Sequence, residues 1–160
     1  MLEFEPYHPA DLPVIEQFIA ALYDAERELD PRLSPGIELA ADGLMQMLSD
    51  VADDKGLVLM ARVDGIAVGF GCVLIDDRRD LAYVEAVRRR ACVSYLYVAD
   101  EWRRKGIGRR LLDVMEAEAK RCGCSRFVIR YKALNVAAGR CYEAARFRPD
   151  QHILSKPIGG

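Results

Sequence analysis

Histidine is scarce in this chain, with His8 and His152 the only two among 160 residues. Cysteine is sparse and odd in number: Cys72, Cys92, Cys122, Cys124 and Cys141. An odd count without a secretion signal argues against a disulfide framework. Cys122-Gly123-Cys124 is the one close pair, and no second Cys or His pair at ligand spacing accompanies it. It reads as a turn from helix end to strand, and no metal site is expected. No apolar run approaches the roughly 20 residues that span a bilayer, so no membrane partner is expected. The start, Met1-Leu2-Glu3-Phe4-Glu5, has neither a basic segment nor an apolar h-region. No signal peptide is therefore expected, and the cytoplasm is the expected compartment. Repeats, low-complexity tracts and linkers are also missing, and the length suits one domain over residues 1–160.

Charge is not missing; it is unevenly spread. The formal net charge is −2. Residues 1–54 carry 13 acids against Arg27 and Arg32, a balance of −11, while residues 55–160 carry 12 acids and 21 bases, a balance of +9. One part of the molecule should attract cations and the other anions. Solvated acidic helix faces are the alternative.

Periodicity supplies the elements. Leu2 to Tyr7 reads as a short strand. From Asp11 a helical stripe follows, with Leu12, Ile15, Phe18, Ile19 and Leu22 on one face. Pro31, Pro35 and Gly36 break it, and a second helix runs from about Glu38 to Val51, with Leu44, Met47, Leu48 and Val51 at helical spacing. Gly56–Val63 and Ile66–Ile75 are strands joined at Asp64-Gly65, a pair that favours a tight type I′ hairpin. Residues 76–80 form a polar turn. Leu81 to Arg90 is either a strand extension or an irregular loop. Ala91 to Val98 is a nearly continuous apolar and aromatic strand, expected to be buried on both faces. Gly106 to Arg121 is a helix with Ile107, Leu111, Leu112, Met115 and Ala119 inward, closed by Gly123. Arg126 to Tyr131 is a strand, Asn135 to Ala145 a helix with Asn135 as N-cap, and Gln151 to Lys156 a last strand. The order predicts an α+β domain with a mixed sheet.

Most chemistry lies between Val98 and Leu112. After the strand ends, Arg103-Arg104-Lys105-Gly106-Ile107-Gly108 opens a helix. The first amides of a helix have no internal partner, and the helix dipole adds partial positive charge there. Gly106 and Gly108 carry no Cβ to hold a phosphate away. Arg103, Arg104, Lys105 and Arg109 add formal charge, which makes a site for a diphosphate. A G-x-G-x-x-G lacks its third glycine, and no G-x-x-x-x-G-K-[ST] occurs. Taken alone, the pattern has a less favoured alternative: a basic helix start on the surface, such as a nucleic-acid patch.

The spacing Val98-x-x-x-x-Arg103-Arg104-Lys105-Gly106-Ile107-Gly108-Arg109-x-Leu111-Leu112 closely resembles the acetyl-CoA motif of the GNAT superfamily of N-acetyltransferases, whose core is [QR]-x-x-G-x-[GA]. A second stretch, Asn135-x-x-Ala138-x-x-Cys141-Tyr142-Glu143-x-x-x-Phe147, is similar to that family's N-x-x-A-x-x-L-Y-E-x-x-G-F segment. The element order fits the family along nearly the whole chain. The resemblance implies a GNAT-type fold: a central mixed, mostly antiparallel sheet, splayed open beside Ala91–Val98 and flanked by about four helices. It implies acetyl-CoA as co-substrate, its pantetheine arm along Leu96, Tyr97 and Val98. The pyrophosphate would sit on the amides of Arg104, Lys105, Gly106, Ile107, Gly108 and Arg109, beside Arg103. Asn135, with Ala138 in the same motif, would meet the pantetheine amide, and Tyr142 would stand near the sulfur. Where the family has Gly before the final Phe, this chain has Arg146, a residue strained in the left-handed helix end that glycine allows.

Acyl transfer from a thioester needs a neutral amine, a thioester within reach, donors for the oxyanion and a proton for the thiolate. The backbone N–H around Tyr97 or Val98 is the expected oxyanion donor and Tyr142 the expected general acid. Without the motif, Tyr142 reads as a core tyrosine on an amphipathic helix. Glu85, just before the central strand, is the candidate base acting through water, against its reading as a loop acid among Arg88, Arg89 and Arg90. Tyr83 and Tyr95 are candidates to line the acceptor cleft, and Tyr95 is equally a core candidate. The acceptor expected from the acidic N-terminal third is a cationic amine: an aminoglycoside, a polyamine, or a basic peptide or protein amine. No nucleic-acid partner is expected, given the glycine spacing and the net charge; a homodimer is common in such families. An acyl-CoA-binding module without turnover is the alternative function.

Overall fold

A computed structural model describes residues 1–53, 55–76 and 82–159. In chain order these form strand β1 (Leu2–Pro6), helices α1 (Leu12–Leu29) and α2 (Gly36–Asp53), strands β2 (Leu57–Val63), β3 (Ile66–Asp76) and β4 (Arg90–Val98), helix α3 (Ile107–Arg121), strand β5 (Arg126–Ile129) and helix α4 (Val136–Ala144). The strands make one sheet in the order β1-β2-β3-β4-β5, antiparallel except for the parallel β4–β5 pair. This is the mixed α/β architecture the element order predicts.

Each face of the sheet carries its own core. On one face Ile15 and Ile19 of α1 and Ala40, Leu44 and Met47 of α2 bury against Val58, Met60, Phe70 and Cys72. On the other, Ile107, Leu111, Leu112, Met115 and Ala119 of α3 bury against Leu59, Ala61, Val73, Ile75, Ala91 and Val93. These are the inward stripes read from the sequence, and truncating one such Leu or Met to Ala costs about 2–5 kcal/mol. The Asp64-Gly65 turn has φ of 49° and 82°, as a type I′ hairpin requires. α2 starts hard against α1: a Cβ on Gly36 would lie 2.0 Å from the Ala20 carbonyl oxygen. The Gly36 amide there donates to the Asp24 carboxylate at 2.7 Å.

Three expectations need correction. The last strand, Gln151–Lys156, does not form: the segment pairs with no described strand, and Ile153 and Leu154 stand exposed. Pro149 and Pro157 bracket it and remove donors at both ends. The strand expected to reach Tyr131 ends at Ile129. β4 is not buried on both faces along its whole length, because Ser94 is exposed. Between Val84 and Arg89 the chain is an irregular loop holding a short 3-10 turn, Glu85–Val87. The polar turn expected at residues 76–80 lies, beyond Asp76, outside the described residues, as does position 81. No described helix is long and apolar enough to cross a membrane.

Candidate active site

The sheet opens at one residue. β4 and β5 pair from Arg90 with Arg126 to Val93 with Ile129, and the ladder stops there. At the same level the β3–β4 register shifts, with Val73 opposite Val93 but Cys72 opposite Tyr95, so that Ser94 is an extra residue in β4. A bulge of this kind bends the strand and flips the alternation of its side chains. Ala91 and Val93 point to the α3 core, whereas Tyr95 and Tyr97 point to the α1–α2 core. From Ser94 to Val98 the β5-facing edge of β4 has no strand partner among the described residues. The split therefore leaves the β5-facing backbone at Leu96, Tyr97 and Val98 without a strand partner among the described residues.

The turn after β4 presents a run of donors. Among the described residues the amides of Arg104, Lys105, Gly106, Ile107, Gly108 and Arg109 donate to no protein acceptor; the first to do so is Arg110, bonded to the Gly106 carbonyl at 3.1 Å. Gly106 is the N-cap at φ 79° in the left-handed region, so glycine is demanded by conformation. A Cβ on Gly108 would meet only Val98, at 3.8 Å, so glycine here keeps the approach to the amides open. The surrounding cations divide. Arg103 pairs with Asp100 at 2.8 Å and lies over the Tyr97 ring. Lys105 sits over Trp102. The Arg109 guanidinium turns away to Asp113 at 2.9 Å and to the Ala144 carbonyl at 2.6 Å. Arg109 thus offers the turn its amide rather than the side-chain charge expected from sequence.

α4 faces this turn across the split. Asn135 caps it, its side-chain oxygen accepting from Ala138 N at 3.1 Å. Its side-chain amide N–H groups meet no described acceptor. Tyr142 lies seven residues further, nearly two turns up the same side. Its ring packs edge-on against Tyr131 at 5.4 Å and Phe147 at 5.9 Å. Burial, with the charges of Cys141, Glu26 and Tyr131 adding to it, pushes its phenol up to about 12. The hydroxyl therefore stays protonated across the physiological range. Desolvation also pushes the Cys141 thiol up, so it is a weak nucleophile.

The remaining candidates scatter. Glu85 is exposed on the 3-10 turn before β4, and it is not among the groups whose charge bears on Tyr142. Tyr83 is covered by the Arg126 guanidinium at 4.0 Å. Tyr95 is part of the core, bonded through its hydroxyl to Tyr23 of α1 at 3.2 Å. Cys122 and Cys124 flank Gly123 in the turn that closes α3, as read from sequence. Two residues escaped the sequence reading: Glu26, whose charge bears on Tyr142, and Gly139, which lies against Tyr131. Glu26 is a carboxylate among many acids and carries no local signal. Gly139 is buried in α4 with the Tyr131 hydroxyl 2.9 Å from where its Cβ would be; a glycine inside a helix is the one signal that pointed to such an approach.

The model of the acetyltransferase (GNAT) family matches residues 17–147. The aminoglycoside N(6')-acetyltransferase type 1 of Stenotrophomonas maltophilia is 30% identical over 149 residues, 91% of this chain and 92% of that protein. A tetramutant of the BH1408 protein from Bacillus halodurans has the same fold, with a TM-score of 0.82 at 15% identity over 98% of this chain and 99% of that one. So has AAC(6')-Iy in complex with the bisubstrate analogue CoA-S-monomethyl-acetylneamine, with a TM-score of 0.70 at 15% identity over 100% and 99%.

Proposed function

The chain belongs to the acetyltransferase (GNAT) family, and from that premise we propose that it moves an acetyl group from acetyl-CoA to a primary amine of a cationic acceptor, by direct attack in a ternary complex. Acceptors of aminoglycoside type stand first, because the matched relative from S. maltophilia acts on them; polyamines and basic peptide or protein amines are the other members of the class. The observation that carries this reading is the run of unpartnered amides from Arg104 to Arg109 at the end of an opened β4. A diphosphate on those amides leaves a pantetheine arm to run along Leu96–Val98 toward α4. Backbone N–H groups around Tyr97 or Val98 then serve as oxyanion donors. Tyr142 gives the leaving sulfur a hydrogen bond and its proton.

The acceptor side is built from α1 and α2. Their surfaces belong to the segment with a balance of −11, which concentrates cations at the mouth of the split. The experiment is a thiol-release screen with acetyl-CoA against aminoglycosides, polyamines, basic peptides and neutral amines. Release with cationic amines supports the reading. Release with neutral or anionic acceptors alone removes the charge argument. Tight acetyl-CoA binding with no release from any amine replaces the enzyme by a binding module.

A further inference from the structure

The end of α1 bridges the split. On the β4 side, Tyr23 of α1 bonds the hydroxyl of Tyr95, which lies just past the bulge. On the other side, Asp30, at the C-cap of α1, holds Lys132 of the β5–α4 connection at 3.8 Å. Tyr23, Glu26 and Asp30 stand at i, i+3 and i+7 and so share a helix face; the stretch is about 10 Å long. Glu26 is midway along this bridge, over the gap between β4 and α4.

The neighbouring carboxylates of α1 are already used. Asp24 caps the start of α2 through Gly36 N. Asp30 is bound by the Arg32 guanidinium at 2.7 Å and by Lys132. Glu26 differs from both: it is partly buried, its backbone carbonyl accepts from Asp30 N at 2.9 Å, and its carboxylate makes no hydrogen bond or ion pair with any described residue. The titratable and charged groups around it are Lys132 from the β5–α4 connection, Tyr142 from α4 with Tyr131 and Cys141 beside it, Tyr23 and Tyr95 toward β4, and Asp30 with Arg32 on its own helix end. Lys132 is the opposing charge that bears on it, and Asp30 already pairs with that lysine.

We propose that Glu26, and not Glu85, receives the proton of the acceptor ammonium at the mouth of the split opposite Tyr142. The inference rests on the acetyltransferase reading above. An amine arrives as R–NH3⁺ and gives one N–H proton to the Glu26 carboxylate. The freed lone pair forms the N–C bond at the acetyl carbonyl, and the C–S bond breaks with its electrons on sulfur. Tyr142 passes its phenolic proton to that sulfur and recovers one from the nitrogen, which becomes an amide. Glu26 then returns its proton to water, so ammonium and thioester become amide, thiol and one released proton. Burial suits Glu26 to proton acceptance, because it raises the carboxyl above its ordinary value, against the pull of Lys132, and so makes it a stronger base.

The test measures kcat/KM for an amine that the wild type acetylates, from about pH 6 to about pH 9.5, in the wild type, Glu26→Gln and Glu85→Gln. In Glu26→Gln we expect a loss of about 10- to 100-fold near neutrality that closes as pH rises and the amine deprotonates by itself. The affinity for acetyl-CoA should be unchanged, and Glu85→Gln should keep the wild-type profile. A Glu26→Gln loss that is constant with pH is a packing effect and overturns the proposal, as does a profile identical to wild type. NMR titration of labelled tyrosine supplies an independent arm: removing the Glu26 charge should lower the Tyr142 ionisation, and no movement overturns the juxtaposition. A wild type that binds acetyl-CoA but acetylates no amine is a different result, because it removes the acetyltransfer reading and this inference with it.

Discussion

The two faces of the sheet offer different kinds of group. The α3–α4 side offers backbone: the amides from Arg104 to Arg109, the open edge of β4 and a capped helix start at Asn135. The α1–α2 side offers side chains: Glu26, Asp30, Tyr23 and an excess of acids. Backbone donors need a particular φ and an absent Cβ, so they leave short sequence motifs with fixed spacing. Side-chain recognition across a gap needs only that two distant segments meet, and leaves none. On the proposed reading the same contrast separates the partners, with the diphosphate on the backbone side and the amine on the side-chain side.

The contrast breaks most severely at Gly108. Gly108→Glu places a carboxylate where a phosphate would approach and should weaken acetyl-CoA binding by at least about 100-fold, measured by calorimetry. The fold should hold, because a Cβ there meets Val98 at an ordinary 3.8 Å. Unchanged affinity would dissociate the amide turn from the cofactor.

Tyr142→Phe tests the boundary between the two sides. The ring keeps its contacts with Tyr131 and Phe147 and only the hydroxyl goes. We expect kcat to fall about 10- to 1000-fold with acetyl-CoA affinity little changed. The sign of the pH dependence is fixed by burial. With the phenol pushed up to about 12, Tyr142 remains a donor throughout the usual assay range, and its ionisation contributes no high-pH fall there. A wild-type limb near pH ~10 that vanished in Tyr142→Phe would show that the phenol is far less desolvated than its packing implies.

The acidic face is probed more gently by salt. At saturating acetyl-CoA, raising ionic strength from about 0.05 M to about 0.5 M should raise the acceptor KM roughly 3- to 10-fold for a cationic amine, with kcat nearly constant. Equal effects on a neutral amine would show that the field plays no part.

These effects track how much was legible beforehand. The helical stripes of α1, α2 and α3, the Asp64-Gly65 hairpin and the amide turn could be read because each is set by residues close in sequence. The extra residue at Ser94 could not. A single insertion opposite Cys72 and Val73 turns Tyr95 and Tyr97 to the other face, and although Ser94 interrupts the apolar run, one serine does not say that the register shifts there. Glu26 was hidden for another reason, since its charge bears on Tyr142 from α1 to α4, across most of the chain. The expected strand at Gln151–Lys156 had a suitable composition but found no neighbour to pair with.

The smallest effect is expected where the chain departs from its family's pattern. α4 closes with Phe147 N bonded to the Tyr142 carbonyl at 2.9 Å and Arg146 N bonded to the Glu143 carbonyl at 2.9 Å. These are the paired bonds of a Schellman ending, accompanied by the contact between the Tyr142 and Phe147 rings. The motif puts its next-to-last residue in the left-handed region, and Arg146 is there at φ 69°. A Cβ in that region costs about 1–2 kcal/mol, part of which glycine gives back through the greater entropy of its unfolded chain. Arg146→Gly should therefore stabilise the protein by about 0.5–1 kcal/mol and raise Tm by roughly 1–4 °C, read by calorimetry. Because the ending also holds the Tyr142 carbonyl, kcat should stay within about twofold of wild type if the geometry is already that of a glycine ending. A destabilised Arg146→Gly would mean that the arginine side chain contributes more to the cleft it shares with Phe127, Phe147 and Arg148 than its backbone loses. A large change in kcat without a change in stability would mean that the strained ending sets the position of Tyr142.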